Sequence, residues 1–288
     1  MIKLRVPATT ANMGPGFDVI GLALDLYNTF TFTMDGEDCD RGSMIYEAAK
    51  VVFDAAGASM NAFTYRVDAD IPIARGLGSS ATCIVGGMVG ANILLGEPFT
   101  KDEILKMASD FEGHPDNVAP ALLGGCVISL PTEDGVTYRK IAPVDHFATV
   151  AAFPDFDLST AEARAALPEA LSYADAVSNI GHMGFLIHGL EHADTEALFF
   201  GLEDKIHEPY RSELIAGYDT MKTLEQRHRG RVIISGAGPT LLFVTEKSAD
   251  LEAVKRDWEK ISEPLDATWD IRILHITATG VEIVETDA

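Results

Sequence analysis

The sequence predicts an α+β protein, because segments with the two-residue periodicity of strands alternate with segments of helical periodicity. In the first half, the predicted strands cover residues 2–7, 30–34, 64–69, 125–130, 136–141 and 148–153. Helical patterns lie among them at residues 44–56, 79–95 and 101–111. The first half is therefore predicted to mix helices with a sheet.

The second half is predicted to be richer in helices and to end in a small helix-on-sheet layer. After Pro154, helical patterns cover residues 160–166, 174–190 and 213–227, and strands follow at 231–234 and 241–245. A helix at 248–261 and a strand at 271–276 complete a strand–strand–helix–strand order. We therefore place a domain boundary near residue 155, which gives predicted domains of 1–155 and 156–288. Residues 285–288 are expected to be a frayed end.

The composition is that of a globular protein, since 47% of the 288 residues are hydrophobic and can form a substantial core. The longest mainly apolar stretch, residues 83–95, is interrupted by glycines and is shorter than the ~20 residues needed to cross a bilayer. The segment before Pro7 lacks the apolar core of a signal peptide. These features predict a cytoplasmic protein. The three widely spaced cysteines predict neither a disulfide framework nor a zinc site.

The net charge of −22 argues against nucleic acid and membranes as partners, because it repels phosphates and anionic lipid surfaces. A ligand that carries phosphate groups would therefore need local positive potential. Backbone amides, a helix N-terminus or a metal ion can supply it.

The segment 72–82 is the strongest candidate for such a site, because it follows a predicted strand and precedes an apolar helix. Gly76 and Gly78 permit close approach of the backbone to a phosphate, and Ser79 or Ser80 can cap the helix. An ordinary turn with a serine N-cap explains this segment equally well. The segment alone does not decide between the two interpretations.

Two common nucleotide-binding loops are excluded. The pattern Gly76-x-Gly78-x-x-Ala81 formally fits the dinucleotide fingerprint, but Pro72 breaks the approach and no strand precedes Glu97. The pattern Gly-x-x-x-x-Gly-Lys-Ser/Thr does not occur in the sequence, nor do the Val-Ala-Ile-Lys and His-Arg-Asp signatures of protein kinases.

Four ordered segments resemble the motifs of the small-molecule kinases that act on galactose, homoserine, mevalonate and phosphomevalonate. They are residues 6–21 (VPATTANMGPGFDVIG), 72–82 (PIARGLGSSAT), 111–120 (FEGHPDNVAP) and 235–240 (SGAGPT). The first and third resemble the forms found in homoserine kinases. The resemblance implies an N-terminal domain like domain 2 of ribosomal protein S5 and a ferredoxin-like C-terminal domain.

The resemblance also implies that ATP and Mg²⁺ are the cofactors. The ATP-binding residues that it implies are Pro72, Ile73, Ala74, Arg75, Gly76, Leu77, Gly78, Ser79, Ser80, Ala81 and Thr82. Mg²⁺ is assigned to Ser80 and Glu112, which offer the hard oxygen ligands that this ion prefers. Taken alone, Glu112 would be interpreted as a solvated residue at a helix end.

By the same resemblance, the substrate-binding residues are Asn12, Asp18, His114, Asn117, Thr160, Arg164, Arg211 and Gly238. An amino-acid substrate needs a carboxylate for its ammonium group and arginines for its own carboxylate, and Asp18, Arg164 and Arg211 are of these types. Other interpretations stay open here. Asn12 and Asp18 could cap a turn, and Arg164 could make a surface contact.

The catalytic candidates are Asn12, His114, Asp116 and Asn117, none of which is evidently a general base. The resemblance implies that positioning and metal electrostatics carry the catalysis. The implied activity is phosphoryl transfer from ATP to the side-chain hydroxyl of homoserine, a step of threonine biosynthesis. A kinase for another small alcohol such as threonine or shikimate, or a catalytically silent metabolite sensor, remains as an alternative. A small molecule is the expected partner, and a homodimer is left open.

Overall fold

The computed structural model of the chain describes residues 1–34, 39–141 and 146–286. Its strands are β1 (Ile2–Asn12), β2 (Gly16–Thr33), β3 (Thr64–Ala69), β4 (Cys126–Thr132), β5 (Gly135–Ile141), β6 (Phe147–Pro154), β7 (Gly230–Ile234), β8 (Leu241–Glu246), β9 (Trp269–Leu274) and β10 (Glu282–Thr286). Its α-helices are α1 (Met44–Ala55), α2 (Ser79–Leu94), α3 (Lys101–Glu112), α4 (Pro115–Leu123), α5 (Thr160–Ala165), α6 (Tyr173–His192), α7 (Thr195–Gly201), α8 (Glu208–Arg211), α9 (Tyr218–Lys222) and α10 (Leu251–Ser262).

The described residues form two antiparallel sheets, which confirms the predicted α+β class. The larger sheet has six strands in the order β10-β1-β2-β4-β5, with β3 also paired to β2. The smaller sheet has four strands in the order β7-β8-β6-β9.

The buried apolar side chains form a core on each sheet and a third cluster between the sheets. Phe30 of β2 belongs to the core that the larger sheet shares with α1 to α4. On the smaller sheet, Trp258 of α10 packs against Phe243 of β8 with ring centroids 6.3 Å apart. Leu22 of β2 and Leu242 of β8 lie in the third cluster, so the two sheets share a buried interface. Each such side chain contributes about 1.5–3 kcal/mol relative to its exposed state.

Helix α2 contacts the larger sheet through glycines. A methyl group on Gly90 would lie 2.4 Å from the ring of Phe32, and one on Gly86 would lie 2.9 Å from the ring of Phe30. These glycines lower the intrinsic helix propensity of α2 but let the helix pack directly on aromatic rings. The close packing brings the N-terminus of α2 to the end of β1.

The predicted helix over residues 213–227 is wrong. That region contains a 3₁₀ segment at Ser212–Leu214, the short helix α9 and a second 3₁₀ segment at Thr223–Gln226. The chain leaves the helical conformation at Ile215, with φ −105° and ψ 100°, and Gly217 takes a left-handed φ of 86°. An internal glycine that adopts positive φ ends a helix, so Gly217 is the residue that divides this region.

Several segments that the sequence pattern left unassigned are regular structure. Strand β2 begins at Gly16, well before the predicted start at residue 30, and α4 and α7 were not predicted. The expectation of a frayed end at 285–288 is wrong for Glu285 and Thr286, which lie in β10 and pair with β1. Residues 287–288 lie outside the described residues. The pairing of β10 with a distant strand is a tertiary contact without a local sequence signal.

The predicted division at residue 155 stays a prediction. Strand β6, which ends just before it, belongs to the smaller sheet, whereas β10 at the end of the chain belongs to the larger one. Among the helices of the described ranges, none is both long enough and apolar enough to cross a membrane.

We predict that Gly90→Ala destabilises the protein, although alanine favours a helix over glycine by about 1 kcal/mol. The added methyl group would overlap the ring of Phe32, and overpacking of this kind typically costs about 1–3 kcal/mol. Urea denaturation measures the difference in the free energy of unfolding.

The matched control is Gly181→Ala in α6, where a new methyl group would meet no atom of the described residues within 4 Å. This variant should be as stable as the wild type or more stable, by up to ~1 kcal/mol. Equal stabilisation by both substitutions would show that α2 does not contact β2 as described.

Candidate active site

One cavity, of about 120 Å³, lies where the ends of β1, α2, α4, α5 and α8 meet the turn between β7 and β8. Its lining residues are Ala11, Asn12, Asp18, Ala74, Arg75, Gly76, Gly78, Ser79, Ser80, Glu112, His114, Asp116, Asn117, Thr160, Arg164, Arg211, Gly236 and Ala237. The cavity is smaller than the ~300–1,000 Å³ typical of pockets for drug-sized ligands. The lining nevertheless includes most of the predicted site residues, which the fold thus brings to one place.

The glycines of the segment before α2 are required by close backbone contacts. A methyl group on Gly76 would lie 2.2 Å from the carbonyl oxygen of Ser235, and one on Gly78 would lie 1.9 Å from Oγ1 of Thr9. Both glycines have positive φ, 74° and 63°. The Ser235 hydroxyl donates to the Gly76 carbonyl at 2.6 Å, which fixes the segment against the β7–β8 turn.

The N-terminus of α2 has no side-chain cap. Its N-cap residue is Gly78, so the expectation that Ser79 or Ser80 caps this helix is wrong. The first N–H groups of a helix lack partners within the helix, and an anion can accept hydrogen bonds from them. Because Gly78, Ser79 and Ser80 line the cavity, this helix end presents positive potential to it.

Ser80 and Glu112, the predicted metal ligands, place two oxygen-bearing side chains beside this helix end. The Ser80 hydroxyl donates to Oε2 of Glu112 at 3.1 Å, and Glu112 is the last residue of α3. Burial raises the pKa of Glu112, and the nearby carboxylate of Asp116 acts in the same direction. A cation at this position would favour the charged carboxylate, so the donor set fits Mg²⁺, which takes one or two protein oxygens beside phosphate groups.

His114, Asp116 and Asn117 are held at the start of α4. Nδ1 of His114 lies 2.5 Å from Oδ1 of Asp116, and Asn117 Oδ1 accepts from the Thr9 hydroxyl at 2.8 Å. The hydrogen bond to Asp116 raises the pKa of His114 against the opposing effect of burial. The contact with Asp116 therefore favours the charged form of the imidazole, and Nδ1 is occupied by Asp116.

Strand β2 packs unusually close to α4 and thereby fixes Asp116. A methyl group on Gly21 would lie 1.8 Å from the carbonyl oxygen of Asp116. Pro120, four residues further along the helix, has no N–H to donate to that carbonyl. The backbone of Gly21 packs against this carbonyl group, and the Asp116 residue is therefore buried, with only 2% exposure.

Asp18 leaves the β1–β2 ladder and faces the cavity. The register jumps between Ala11, which pairs with Gly21, and Asn12, which pairs with Gly16, so residues 17–20 have no partner on β1. Asp18 has a left-handed φ of 57° and binds Arg164 through two hydrogen bonds of 2.8 and 3.0 Å. The predicted acidic and basic substrate ligands are therefore bound to each other.

Asn12 has a structural role in this turn. Its Oδ1 accepts from the backbone N–H of Asp18 at 3.1 Å, and its Nδ2 donates to the Gly236 carbonyl at 2.8 Å. Both ends of the amide group are engaged with the backbone. The turn-capping interpretation of Asn12 therefore describes its hydrogen bonds, while the residue also lines the cavity.

Arg211 is buried beneath the same end of the cavity. Its Nε donates to the Ala163 carbonyl at 3.1 Å and its Nη1 to the Gly236 carbonyl at 3.0 Å. The guanidinium carbons of Arg211 and Arg164 lie 5.1 and 5.5 Å from the centre of the Phe17 ring, a distance typical of cation–π contact. Thr160, at the start of α5, lines the cavity beside them.

Other predicted residues do not line the cavity. Leu77, Ala81 and Thr82 are buried, whereas Ile73 is 78% exposed, and Pro72 is also absent from the lining. Gly238 has a left-handed φ of 85°, and a methyl group on it would lie 3.2–3.5 Å from Ile215, Ile234 and Leu158, so this glycine shapes the β7–β8 turn. The sequence prediction omitted Ala11, Gly236 and Ala237. Their place in the first and last motifs is the signal that identifies them.

A second set of possible metal ligands consists of three residues that line the cavity. Ligand atoms of Asp18, His114 and Asp116 lie within 4.8 Å of one another. Asp18 is already bound to Arg164, whose positive charge opposes a cation at this position. We therefore assign no metal to this set.

We predict that the pKa of His114 lies above its usual value of about 6.5 and falls toward it in the Asp116→Asn variant. Since the folded pKa is raised, the pair contributes stability that is complete below the unfolded pKa and is lost as pH rises through the folded pKa. NMR titration of the imidazole measures both values. The other histidines serve as internal controls, and an unchanged His114 curve would contradict the contact.

The class of protein is defined by similarity to a known family. Residues 43–125 match the family described as GHMP kinases N terminal domain. This range contains the glycine-rich segment, all of α2, and the predicted metal ligands Ser80 and Glu112.

Full-length relatives then identify the family. The homoserine kinase of Crocosphaera subtropica is 42% identical over 98% of this chain and 97% of its own. That of Clostridium beijerinckii is 40% identical over 99% of each. The crystal structure of homoserine kinase from Cytophaga hutchinsonii matches with a TM-score of 0.87 and 26% identity, over 98% of this chain and 97% of that chain. The chain therefore belongs to the homoserine kinase family of the GHMP kinases.

The predicted two-domain kinase fold has an S5-like N-terminal and a ferredoxin-like C-terminal domain. It is confirmed by this crystal structure and by the family match.

Proposed function

We propose that the chain transfers the γ-phosphate of ATP to the side-chain hydroxyl of L-homoserine, which gives ADP and O-phospho-L-homoserine for threonine biosynthesis. The observation that carries the proposal is the pairing of two unlike ends in one small cavity. The uncapped N-terminus of α2 lies at one end, and Asp18, Arg164 and Arg211 lie at the other.

The triphosphate is proposed to bind at the segment before α2. The backbone N–H groups at Ser79 and Ser80 would donate to phosphate oxygens, and the glycines leave room for that approach. Ser80 and Glu112 would hold Mg²⁺, which when bound neutralises charge on the phosphate groups. These local features would offset the repulsion from a chain of net charge −22.

The acceptor is proposed to exchange the internal ion pair for two new ones. Asp18 and Arg164 are partly exposed, and their carboxylate and guanidinium groups match the ammonium and carboxylate groups of an amino acid. On binding, the ammonium group of the acceptor would bind Asp18, and its carboxylate would bind Arg164 and Arg211. The hydroxyl of a short side chain would then point toward the phosphate end.

The catalytic groups are proposed to act by position and charge. Nδ1 of His114 is bound to Asp116, and Asn117 is bound to Thr9, so both groups are oriented before the substrates arrive. A positively charged His114 would stabilise negative charge in the transition state. Asp116 is buried and occupied by His114, which leaves it poorly placed to accept the acceptor's proton.

The proposal predicts that only homoserine, among homoserine, threonine, shikimate and mevalonate, supports rapid magnesium-dependent release of ADP. A coupled assay at equal acceptor concentrations measures the rates. A clear preference for threonine or shikimate would assign the chain to another small alcohol. If no acceptor raises ADP release above the background, the silent metabolite sensor becomes the better description.

The metal assignment predicts that Glu112→Gln weakens the apparent affinity for Mg²⁺ and lowers kcat. Loss of a ligand carboxylate should lower the affinity for Mg²⁺ by at least the ~10–100-fold that follows loss of a residue that only hydrogen-bonds to a metal ligand. Homoserine binding, measured by calorimetry without ATP, should be unchanged.

The matched control is Asp110→Asn, an exposed carboxylate of the same helix that pairs with Lys106. This variant should keep the wild-type dependence on Mg²⁺. A Glu112→Gln enzyme with near wild-type kcat at low Mg²⁺ would mean that Glu112 only stabilises the end of α3.

A further inference from the structure

Large apolar side chains are exposed along one side of α6 and on the neighbouring α7. The residues of this surface, called the α6 face, are Tyr173, Val177, Ile180, Gly184 and Phe185 of α6 and Phe200 of α7. The first four are spaced by three or four residues, which places them on one side of the helix. The rings of Phe185 and Phe200 meet edge to face with centroids 4.9 Å apart. The proposed phosphoryl transfer does not use this surface.

The opposite side of α6 belongs to the core. Leu186 and Leu190 are fully buried in the cluster between the sheets. Asn179 on the same side donates to the carbonyl of Pro15 at 3.2 Å and to Oδ1 of Asp204 at 2.9 Å. The helix is therefore apolar on both sides, although a helix at a protein surface normally has one polar side. This pattern indicates that the outer side is also covered by a partner.

The area of the α6 face is large for a surface that stays in solvent. Its five large side chains are each 50–93% exposed. At roughly 200 Å² for a complete large side chain, they present on the order of 600 Å² of apolar surface. The largest apolar patch of a typical monomer covers ~300–600 Å², and each partner of a standard interface buries ~800 Å². The α6 face with its immediate surroundings is therefore large enough to support a stable dimer.

The charge of the α6 face favours a second copy of the chain as its partner. None of the six residues is acidic or basic, although the net charge of the chain is −22. A basic protein partner would call for acidic side chains within the contact. Helices that lie on membranes typically carry Lys or Arg on their polar side, and α6 contains neither. Two copies of this acidic chain can approach each other most easily where the contact itself carries no charge.

The arrangement of the face also suits a twofold contact. Ile180 and Gly184 lie on either side of the middle of α6. If two copies of α6 pack antiparallel about this point, Ile180 of each copy lies against Gly184 of the other. A methyl group on Gly184 would meet no atom of the described residues within 4 Å, so there is room for that side chain. Glycine at such a position also lets two helices approach closely.

We propose that the α6 face is the interface of a homodimer, in which α6 of one copy packs antiparallel on α6 of the other about a twofold axis. Because such a contact pairs the same surface with itself, it closes at two copies. Neither the observations that carry this proposal nor its test depends on the proposed function.

The test is sedimentation equilibrium of the full chain. The wild type at about 10 µM should have twice the mass of one chain, because interfaces of this size give dissociation constants in the µM range or below. Raising NaCl from about 0.05 to 0.5 M should strengthen the association, since salt screens the repulsion between two acidic chains. Ile180→Glu should raise the Kd of the dimer by at least about 100-fold, because each dimer would then bury two unpaired carboxylates.

Two further variants keep the test decisive. Leu130→Glu places the same charge on a residue of β4 that is 52% exposed, and this variant should dimerise as the wild type does. Ile180→Ser removes the apolar side chain without adding a charge and should raise the Kd by at least about tenfold. Circular dichroism checks that each variant is folded, and the serine variant decides the matter if the glutamate variant is not.

The proposal is overturned if the wild type is monomeric at about 100 µM, well above the µM range expected for such an interface. An unchanged Kd in both Ile180 variants, or an equal rise in Leu130→Glu, would place the interface elsewhere and reject the α6 face. A mass above that of two copies would contradict the twofold arrangement. A monomer that sediments with phosphatidylcholine vesicles would show that lipid, and not a second copy, covers the α6 face.

Discussion

The close contact of three backbone turns is the constraint on which the rest of the site depends. The β1–β2 turn, the segment before α2 and the β7–β8 turn meet with no side chain between Gly76 and Ser235. Across this contact the backbone N–H of Gly236 donates to the Ala11 carbonyl, and the Ser235 hydroxyl donates to the Gly76 carbonyl. Because β1 and β2 belong to the larger sheet and β7 and β8 to the smaller one, the contact aligns the proposed phosphate and acceptor ends. Any side chain on Gly76 would force them apart.

Net charge and local charge have opposite roles in this protein. The chain carries −22 overall, yet the cavity collects a helix N-terminus and three arginines. Arg75 is paired with Asp157 and Arg164 with Asp18, so their charges are partly neutralised. Arg211 is different, since within the described residues its hydrogen-bond partners are two backbone carbonyl groups and no carboxylate. It is therefore the arginine best prepared to receive a carboxylate from outside.

Much of the fold and site follows from the sequence, and the failures have physical causes. Strand β3 has its predicted limits because its alternation is local, whereas β10 forms only by pairing with β1 across the chain. The motif residues Ser80 and Glu112 were predicted and are hydrogen-bonded to each other. The ion pair of Asp18 with Arg164 was not foreseen, because a motif specifies residue types and not which of them bind each other before a ligand arrives.

The central claim is that the acceptor end recognises both charges of an amino acid, and Arg211→Lys tests it most directly. Lysine keeps the charge but loses the planar fork, which should cost about 1.5–3 kcal/mol. The account predicts a loss of roughly 10- to 150-fold in kcat/KM for homoserine. The loss should largely vanish with the corresponding amino alcohol, which lacks the carboxylate. An equal loss with both acceptors would contradict the account. It would mean that Arg211 binds the phosphate groups or stabilises the fold.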